Sequence, residues 1–180
     1  CQSLLIHINY TLTDIYTTTL HLHLPQNHKA IPAVRTLVQR VSQASVTVDN
    51  TIIGEIQQGL LLLVGFRPGD DEQDLRFCAE KCANLRIFPD CDGKMNRSLL
   101  DIGGGVLCVS QFTLYGDCRK GRRPSFAGAA PPEDAETLYE SFLDILAAQG
   151  LAPARGIFGA HMHVEIHNDG PVTLMVESPA

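Results

Sequence analysis

No apolar run in this 180-residue chain approaches the roughly 18 to 20 residues that a helix needs to cross a bilayer, which excludes a helical membrane span. No C-x-x-C pair occurs among its six cysteines, and no Cys/His set has finger-like spacing, so neither a zinc module nor a disulfide framework is indicated. Buried free thiols in a reducing cytosol are the expectation, with Cys78 and Cys82 at helical i, i+4 spacing and Cys108 inside a strand-like run. Basic residues are also in short supply. Lys and Arg number 14 against 20 Asp and Glu, for a net charge of −6, which disfavours wrapping long nucleic acid but leaves room for a local basic cluster. There is no internal repeat, no G-x-S-x-G nucleophile elbow and no stacking-aromatic RNA motif. What the chain has is a hydrophobic fraction of 44% with 19% charged residues, enough for a real core in one domain.

Two regions differ in character. Residues 1–33 are rich in Thr, His and Leu, and Lys29 is their only Lys or Arg. His7, Asn9, Thr11, Thr13 and Asp14 interrupt any continuous apolar centre, so the segment does not read as a secretory signal. It is expected to be an N-terminal appendage outside the native protein, with the domain running from 34 to 180. A GUG codon starting translation at Val34 and conceptually translated as valine would account for it. Mass spectrometry detecting native peptides between Thr11 and Lys29 would reject that explanation.

From Val34 onward the pattern is regular. Leu37, Val38, Val41, Val46 and Val48 supply a strand, Asp49-Asn50 a turn, and Thr51 to Ile56 its hairpin partner. Gly59 to Phe66 reads as a buried strand. A first helix begins near Asp70, where Asp70 and Gln73 suggest a capping box, and carries Leu75, Cys78, Cys82 and Leu85 on one stripe. Arg86-Ile87-Phe88 forms a short strand, residues 90 to 105 a loop, and Val106 to Leu114 a further strand. A second helix spans about Pro132 to Gln149, with Leu138, Tyr139, Phe142, Ile145 and Leu146 inward and Gly150 as its stop. Two closing strands, His161 to His167 and Val172 to Glu177, flank Asn168-Asp169-Gly170-Pro171. The expectation is an α/β single domain in which a mostly antiparallel or mixed sheet curls around the core beside two main helices.

Generic rules leave the chemistry open. Ser110 with His161, His163 and His167 could form a hydrolase triad, or these histidines could be solvent-facing. Thr113 could be a nucleophile, or a β-branched residue suited to a strand. Gly170-Pro171 could be an ordinary turn, or a cis linkage, which only X-Pro readily adopts.

The segment Lys94 to Phe126, KMNRSLLDIGGGVLCVSQFTLYGDCRKGRRPSF, resembles the central signature of D-aminoacyl-tRNA deacylases. Within it Ser110, Gln111, Phe112 and Thr113 match the SQFT motif, while Asn168-Asp169-Gly170-Pro171-Val172-Thr173 matches the second motif, N-x-G-P-x-T. Val38-Gln39-Arg40-Val41 and Ala44-Ser45-Val46 resemble the family's first strand, and the likeness extends from residue 34 to about 177. It implies the deacylase fold and hydrolysis of the ester joining a D-amino acid, or mischarged glycine, to the tRNA acceptor end. This would be cytoplasmic proofreading, without cofactor, metal or membrane.

The likeness further implies a homodimer in which Gly170 and Pro171 of one subunit, held cis, enter the other's active site and leave no space for an L side chain. Arg40, Asn168 and Thr173 would support that pair. Phe158 and Met162 match the terminal-adenosine pocket, although Ile157 stands where a basic residue is usual. Arg119, Lys120, Arg122 and Arg123 would meet acceptor-stem phosphates. Backbone amides near Phe112 and Thr113, together with the terminal ribose 2′-hydroxyl, would carry much of the chemistry. A related deacylase that edits L-threonine on tRNA, a non-catalytic RNA-binding module and a Ser110 peptidase or esterase are the competing readings.

Overall fold

A computed structural model describes residues 34–179, and the expected appendage at 1–33 lies outside the described residues. The fold begins with a long strand, β1 (Arg35–Val48), turned back by Asp49 and Asn50 into β2 (Thr51–Ile56). Both turn residues have positive φ, 47° and 62°, the geometry a two-residue hairpin needs to match strand twist. After a brief break at Gln57-Gln58 the chain resumes along the same side of β1 as β3 (Gly59–Gly65), so one strand is paired successively by two.

The run GLLLLVG is continuous in hydrophobicity because both its faces are covered. Leu60, Leu62 and Val64 point to a layer of helices, whereas Leu61 joins Val41, Val46, Leu107 and Val109 inside the curl of the sheet. The helical layer consists of α1 (Glu72–Asn84) and α3 (Pro132–Ala148), which contribute Leu75, Cys78 and Cys82, and Tyr139, Phe142 and Leu146. The capping box of α1 is built one residue later than the sequence suggests. Asp71, not Asp70, accepts from the amides of Gln73 and Asp74, and Asp74 closes the box. Asp70 instead turns back to bond the Arg67 amide at 2.9 Å.

Residues 90–105 are more ordered than a loop. They hold β5 (Met95–Arg97), which pairs with β4 (Phe88–Pro89) as a small hairpin, and the one-turn helix α2 (Leu99–Ile102), capped by Ser98 and ended by left-handed Gly103. Next comes β6 (Gly105–Ser110), parallel to β3, and after α3 the short β7 (Ala154–Arg155), parallel to β6. Parallel neighbours require crossovers, which α1 and α3 provide.

The last strand, β8 (His163–Glu177), pairs antiparallel with nearly the whole of β1. The expected pair of strands joined by a hairpin-like turn is therefore one strand. Its two halves share β1 as partner, and Asn168 to Val172 forms an irregularity within it, not a reversal. The sheet order is β2-β1-β3-β6-β7, with β8 on the free side of β1. Curling brings its ends together: a Cβ on Gly54 of β2 would meet the Arg155 carbonyl of β7 at 2.8 Å. The α/β, mixed-sheet expectation holds, with α2 added to the two main helices. Of the cysteines, Cys78, Cys82 and Cys108 are buried as expected, but Cys91 and Cys118 are exposed on loops. Among the described residues no helix is long and apolar enough to cross a membrane.

Candidate functional site

Strand β6 ends sooner than its composition suggests. Phe112 to Tyr115 turn into a 3-10 helix, so Thr113 is an exposed turn residue, not a strand residue. The cause is local packing. The Gln111 amide bonds the Val64 carbonyl at 2.7 Å, and beyond that point Gly65 admits the turn directly against its backbone: a Cβ there would lie 2.8 Å from the Gln111 carbonyl and 3.3 Å from Leu114. Ser110 and Gln111 are thereby left at the rim of a cavity of about 710 Å³.

The far walls of this cavity come from three places. Phe126 and Ala129 to Pro132 supply one side, and Phe158 to Met162 the other, with Gly65 and Phe66 at the base. Phe112 and Phe126 meet edge to face at 5.1 Å, and both stay partly exposed. Phe158 is steadied by Tyr139, ring to ring at 6.1 Å, while the Tyr139 hydroxyl donates to the Cys108 carbonyl at 2.7 Å. The pocket is thus largely apolar, with the strand-end polar groups and His161 as its exceptions.

Around Thr113, Gln111 Nε2 donates to Thr113 Oγ1 in a short hydrogen bond. Among the described residues no histidine hydrogen-bonds to Ser110 or Thr113, and His163 and His167 lie on β8 opposite Thr47 and Gln43. A preassembled Ser-His-Asp triad is therefore absent from these residues. The amides of Phe112 and Thr113 begin the 3-10 turn, and among the described residues neither bonds a backbone carbonyl. They are available to an external acceptor.

The second motif lies outside this cavity wall. Between Gln43↔His167 and Gln39↔Thr173, β1 advances four residues and β8 six, so the surplus bulges outward at Asp169 to Val172. The Gly170–Pro171 peptide is cis. Gly170 has φ of 117°, and a Cβ on it would sit 2.9 Å from both Arg40 Nη2 and Val172 Cγ2, so only glycine fits.

Beneath the bulge, Asn168 Nδ2 donates to the Arg40 and Val172 carbonyls at 2.9 and 3.1 Å, and Thr173 Oγ1 reaches Asn168 Oδ1 at 3.4 Å. Gln39 Nε2 donates to Thr173 Oγ1 at 3.3 Å. Arg40 follows Val34, Thr36 and Val38 on the buried face of β1. Its guanidinium donates to the Ile87 carbonyl at 2.5 Å and pairs with Asp169 at 2.9 Å. Gly170 and Pro171 themselves are exposed.

The basic loop is pinned by reciprocal bonds between Asp117 and Ser125. Arg119 is not free within it: its guanidinium grips Asp117 at 2.8 and 2.7 Å, and these bonds hold the Asp117 carboxyl down at about 2. Lys120, Arg122 and Arg123 are exposed and make no ion pair among the described residues.

Sequence reasoning thus gathers Ser110, Gln111, Phe112, Phe158 and Met162 at one cavity, with Thr113 beside it. Arg40, Asn168, Gly170, Pro171 and Thr173 form a separate cluster. Three features go unread in the sequence. Phe126 sits just past the basic loop, Pro131-Pro132 reads only as a helix start, and Arg35 carries no motif.

A family model described as D-Tyr-tRNA(Tyr) deacylase matches residues 37–177. The D-aminoacyl-tRNA deacylase of Shouchella clausii is 59% identical over 145 residues, spanning 81% of this chain and 99% of the relative. A solved structure titled c-Myc DNA Unwinding Element Binding Protein is 44% identical, with a TM-score of 0.76 over 81% of this chain and 99% of that one. Another, titled as a probable eukaryotic D-amino acid tRNA deacylase, is 19% identical with a TM-score of 0.69 over 81% and 99%, a likeness of fold.

Proposed function

The chain belongs to the D-Tyr-tRNA(Tyr) deacylase family, and from that premise we propose that it hydrolyses D-aminoacyl-tRNA, releasing the free D-amino acid and the tRNA. The observation that carries this reading is the SQFT turn at the rim of an apolar cavity, in a chain 59% identical to a D-aminoacyl-tRNA deacylase over nearly that relative's whole length. The task is chiral proofreading in translation, in the cytoplasm, and mischarged glycyl-tRNA is cleaved as well because glycine has no side chain to exclude.

The terminal adenosine packs against Phe158 and Met162, which places the ester beside Phe112 and Thr113. Water adds to the ester carbonyl, and the backbone amides of Phe112 and Thr113 stabilise the oxyanion. The tetrahedral species then collapses, expelling the ribose 3′-oxygen, which takes up a proton. The neighbouring ribose 2′-hydroxyl assists, and Thr113 Oγ1, already engaged by Gln111, is not the nucleophile. Thr113→Ala therefore retains substantial deacylation; a folded variant with none would overturn that assignment.

Chirality is checked by Gly170 and Pro171 of a second copy, in a homodimer. Their carbonyls leave room for hydrogen but not for a side chain on one side of the substrate α-carbon. Arg40, Asn168 and Thr173 brace the pair from beneath. Lys120, Arg122 and Arg123 reach the acceptor-stem phosphates, with Arg119 shared with Asp117.

Incubation with D-Tyr-tRNA, L-Tyr-tRNA and an aryl ester tests the whole reading. Cleavage of the first alone is expected. Equal cleavage of both enantiomers, or cleavage of the aryl ester alone, would defeat it.

A further inference from the structure

The 3-10 turn that presents the Phe112 and Thr113 amides is short, and a single turn has little stability of its own. Its upstream end is secured by the Gln111–Val64 backbone bond. Its downstream end is secured from elsewhere. Arg35, at the start of β1, donates from Nη1 to the Leu114 carbonyl at 2.9 Å. The same guanidinium stacks over the Tyr115 ring, 4.7 Å from its centroid, and pairs through Nε with Glu177 of β8 at 3.0 Å. Backbone pairing fixes its origin, since Arg35 stands opposite Gly65 of β3 and Glu177 of β8. Gly65 is also the residue on which the turn rests.

We propose that Arg35 is a positioning residue for deacylation: its planar guanidinium, paired in charge with Glu177, clamps Leu114 and Tyr115 and so fixes the amides of Phe112 and Thr113 in register with the ester. This rests on the reading of those amides given above. Three separate directions of contact are made by one flat group, an arrangement that a lysine cannot reproduce. Glu177 neutralises the guanidinium without a directed hydrogen bond to it, the Leu114 carbonyl sets its reach and the ring sets its tilt. Arg35 does not line the cavity, so it acts on the reaction only through the turn. Without it the Leu114 carbonyl loses its partner and the turn can shift. Displacements near 1 Å at a reacting centre cost about 100-fold in rate.

The test compares wild type, Arg35→Lys and Arg35→Ala on D-Tyr-tRNA, measuring kcat and KM separately alongside the thermal midpoint. Arg35→Lys keeps the charge opposite Glu177, so a purely structural ion-pair role predicts wild-type kinetics for it. The positioning role predicts instead that both variants lose about 10- to 100-fold in kcat with KM changed less than about threefold. Added guanidinium ion should restore part of kcat in Arg35→Ala and none in Arg35→Lys, where the lysine fills the space. A folded Arg35→Lys with wild-type kcat overturns the inference, as does a loss confined to KM. If Arg35→Ala does not fold, Arg35→Lys alone decides. Failure of the wild type to cleave D-Tyr-tRNA would strike the functional reading and not the clamp, so the two are separable.

Discussion

Removing the Arg40 side chain separates two contributions that a picture of the site would merge. The guanidinium is nearly buried, with side-chain exposure of 11%, whereas its partner Asp169 is 47% exposed. Half in water, Asp169 loses little when the pair is broken, so the ion pair itself contributes no more than about 1 kcal/mol. The bond to the Ile87 carbonyl at 2.5 Å is different, because a charged donor meets a neutral acceptor in a buried setting, and such bonds contribute about 1.5 to 3 kcal/mol. The packed stem adds to this. Arg40→Ala should therefore destabilise by about 2 to 4 kcal/mol and Asp169→Asn by less than about 1 kcal/mol, with a coupling in the double mutant below about 1 kcal/mol. Urea unfolding followed by circular dichroism supplies all four values. A coupling above about 3 kcal/mol would mean the pair behaves as a buried one, and the exposure argument would be wrong. The functional counterpart is the ratio of D-Tyr-tRNA to L-Tyr-tRNA cleavage. It should fall at least about tenfold in Arg40→Ala, equivalent to ~1.4 kcal/mol, and much less in Asp169→Asn. An unchanged ratio in folded Arg40→Ala would remove Arg40 from the support of Gly170 and Pro171.

Other measurements bear on other parts of the molecule. Burial pushes the Cys78 thiol up to about 12 and those of Cys82 and Cys108 higher than the ordinary 9.0, so iodoacetamide at pH 8 should label Cys91 and Cys118 and spare these three until unfolding. The native state keeps those protons where the unfolded chain releases them, so the thiols' contribution to stability should be constant at neutral pH and decline from about pH 9 toward 12; a rise over that range would contradict the burial. Neutralising Lys120, Arg122 and Arg123 together should lower the salt slope of tRNA affinity by about 2 to 3, roughly one per phosphate contact, while Arg119→Gln changes it less because Asp117 already holds that charge. Tyr139→Phe should cost only about 1 kcal/mol, since the Cys108 carbonyl keeps the Gly156 amide at 3.1 Å as partner; a loss above about 3 kcal/mol in urea unfolding would show the carbonyl stranded.

The parts of the fold that depend on side-chain pattern were legible. The hairpin around Asp49-Asn50, the doubly covered run at Gly59 and the stripes of α1 and α3 each express a local rule, and each stands within a residue or two of its expected place. Where two local rules compete, only geometry chooses. Sequence spacing points to Asp70 as the cap of α1, but the Arg67 amide engages Asp70 and Asp71 takes the role. The run VSQFTL has strand composition throughout, yet β6 stops at Ser110 because the chain there leaves the edge of β3 and falls onto Gly65. Asn168 to Pro171 has turn composition, but a turn and a bulge use the same residues, and pairing of both flanks to β1 makes it a bulge. Long-range partners such as Arg35 with Leu114, 79 residues apart, leave no trace in local spacing.

The separation of the two motifs within one chain has a consequence for assembly. Ser110 to Phe112 line the cavity, whereas Gly170 and Pro171 do not, and both are exposed. In the proposed homodimer this separation is required. A bulge that filled its own chain's cavity would be present whether or not a second copy had bound, and nothing would tie proofreading to assembly. Lent across a twofold axis, the bulge of each copy would enter the other's cavity, because an isologous contact is reciprocal. The same axis addresses a second need. Among the described residues β8 pairs only with β1, so its other edge leaves backbone groups without strand partners along 15 residues, and Ile166, Leu174 and Met175 on its faces are exposed. A long open edge invites indiscriminate strand addition unless it is covered. In that proposed dimer, a partner seated along β8 would cover the edge. Interface stability and the proposed chiral check would then draw on the same strand, so a β8 substitution that weakens dimerisation should also lower the ratio of D-Tyr-tRNA to L-Tyr-tRNA cleavage.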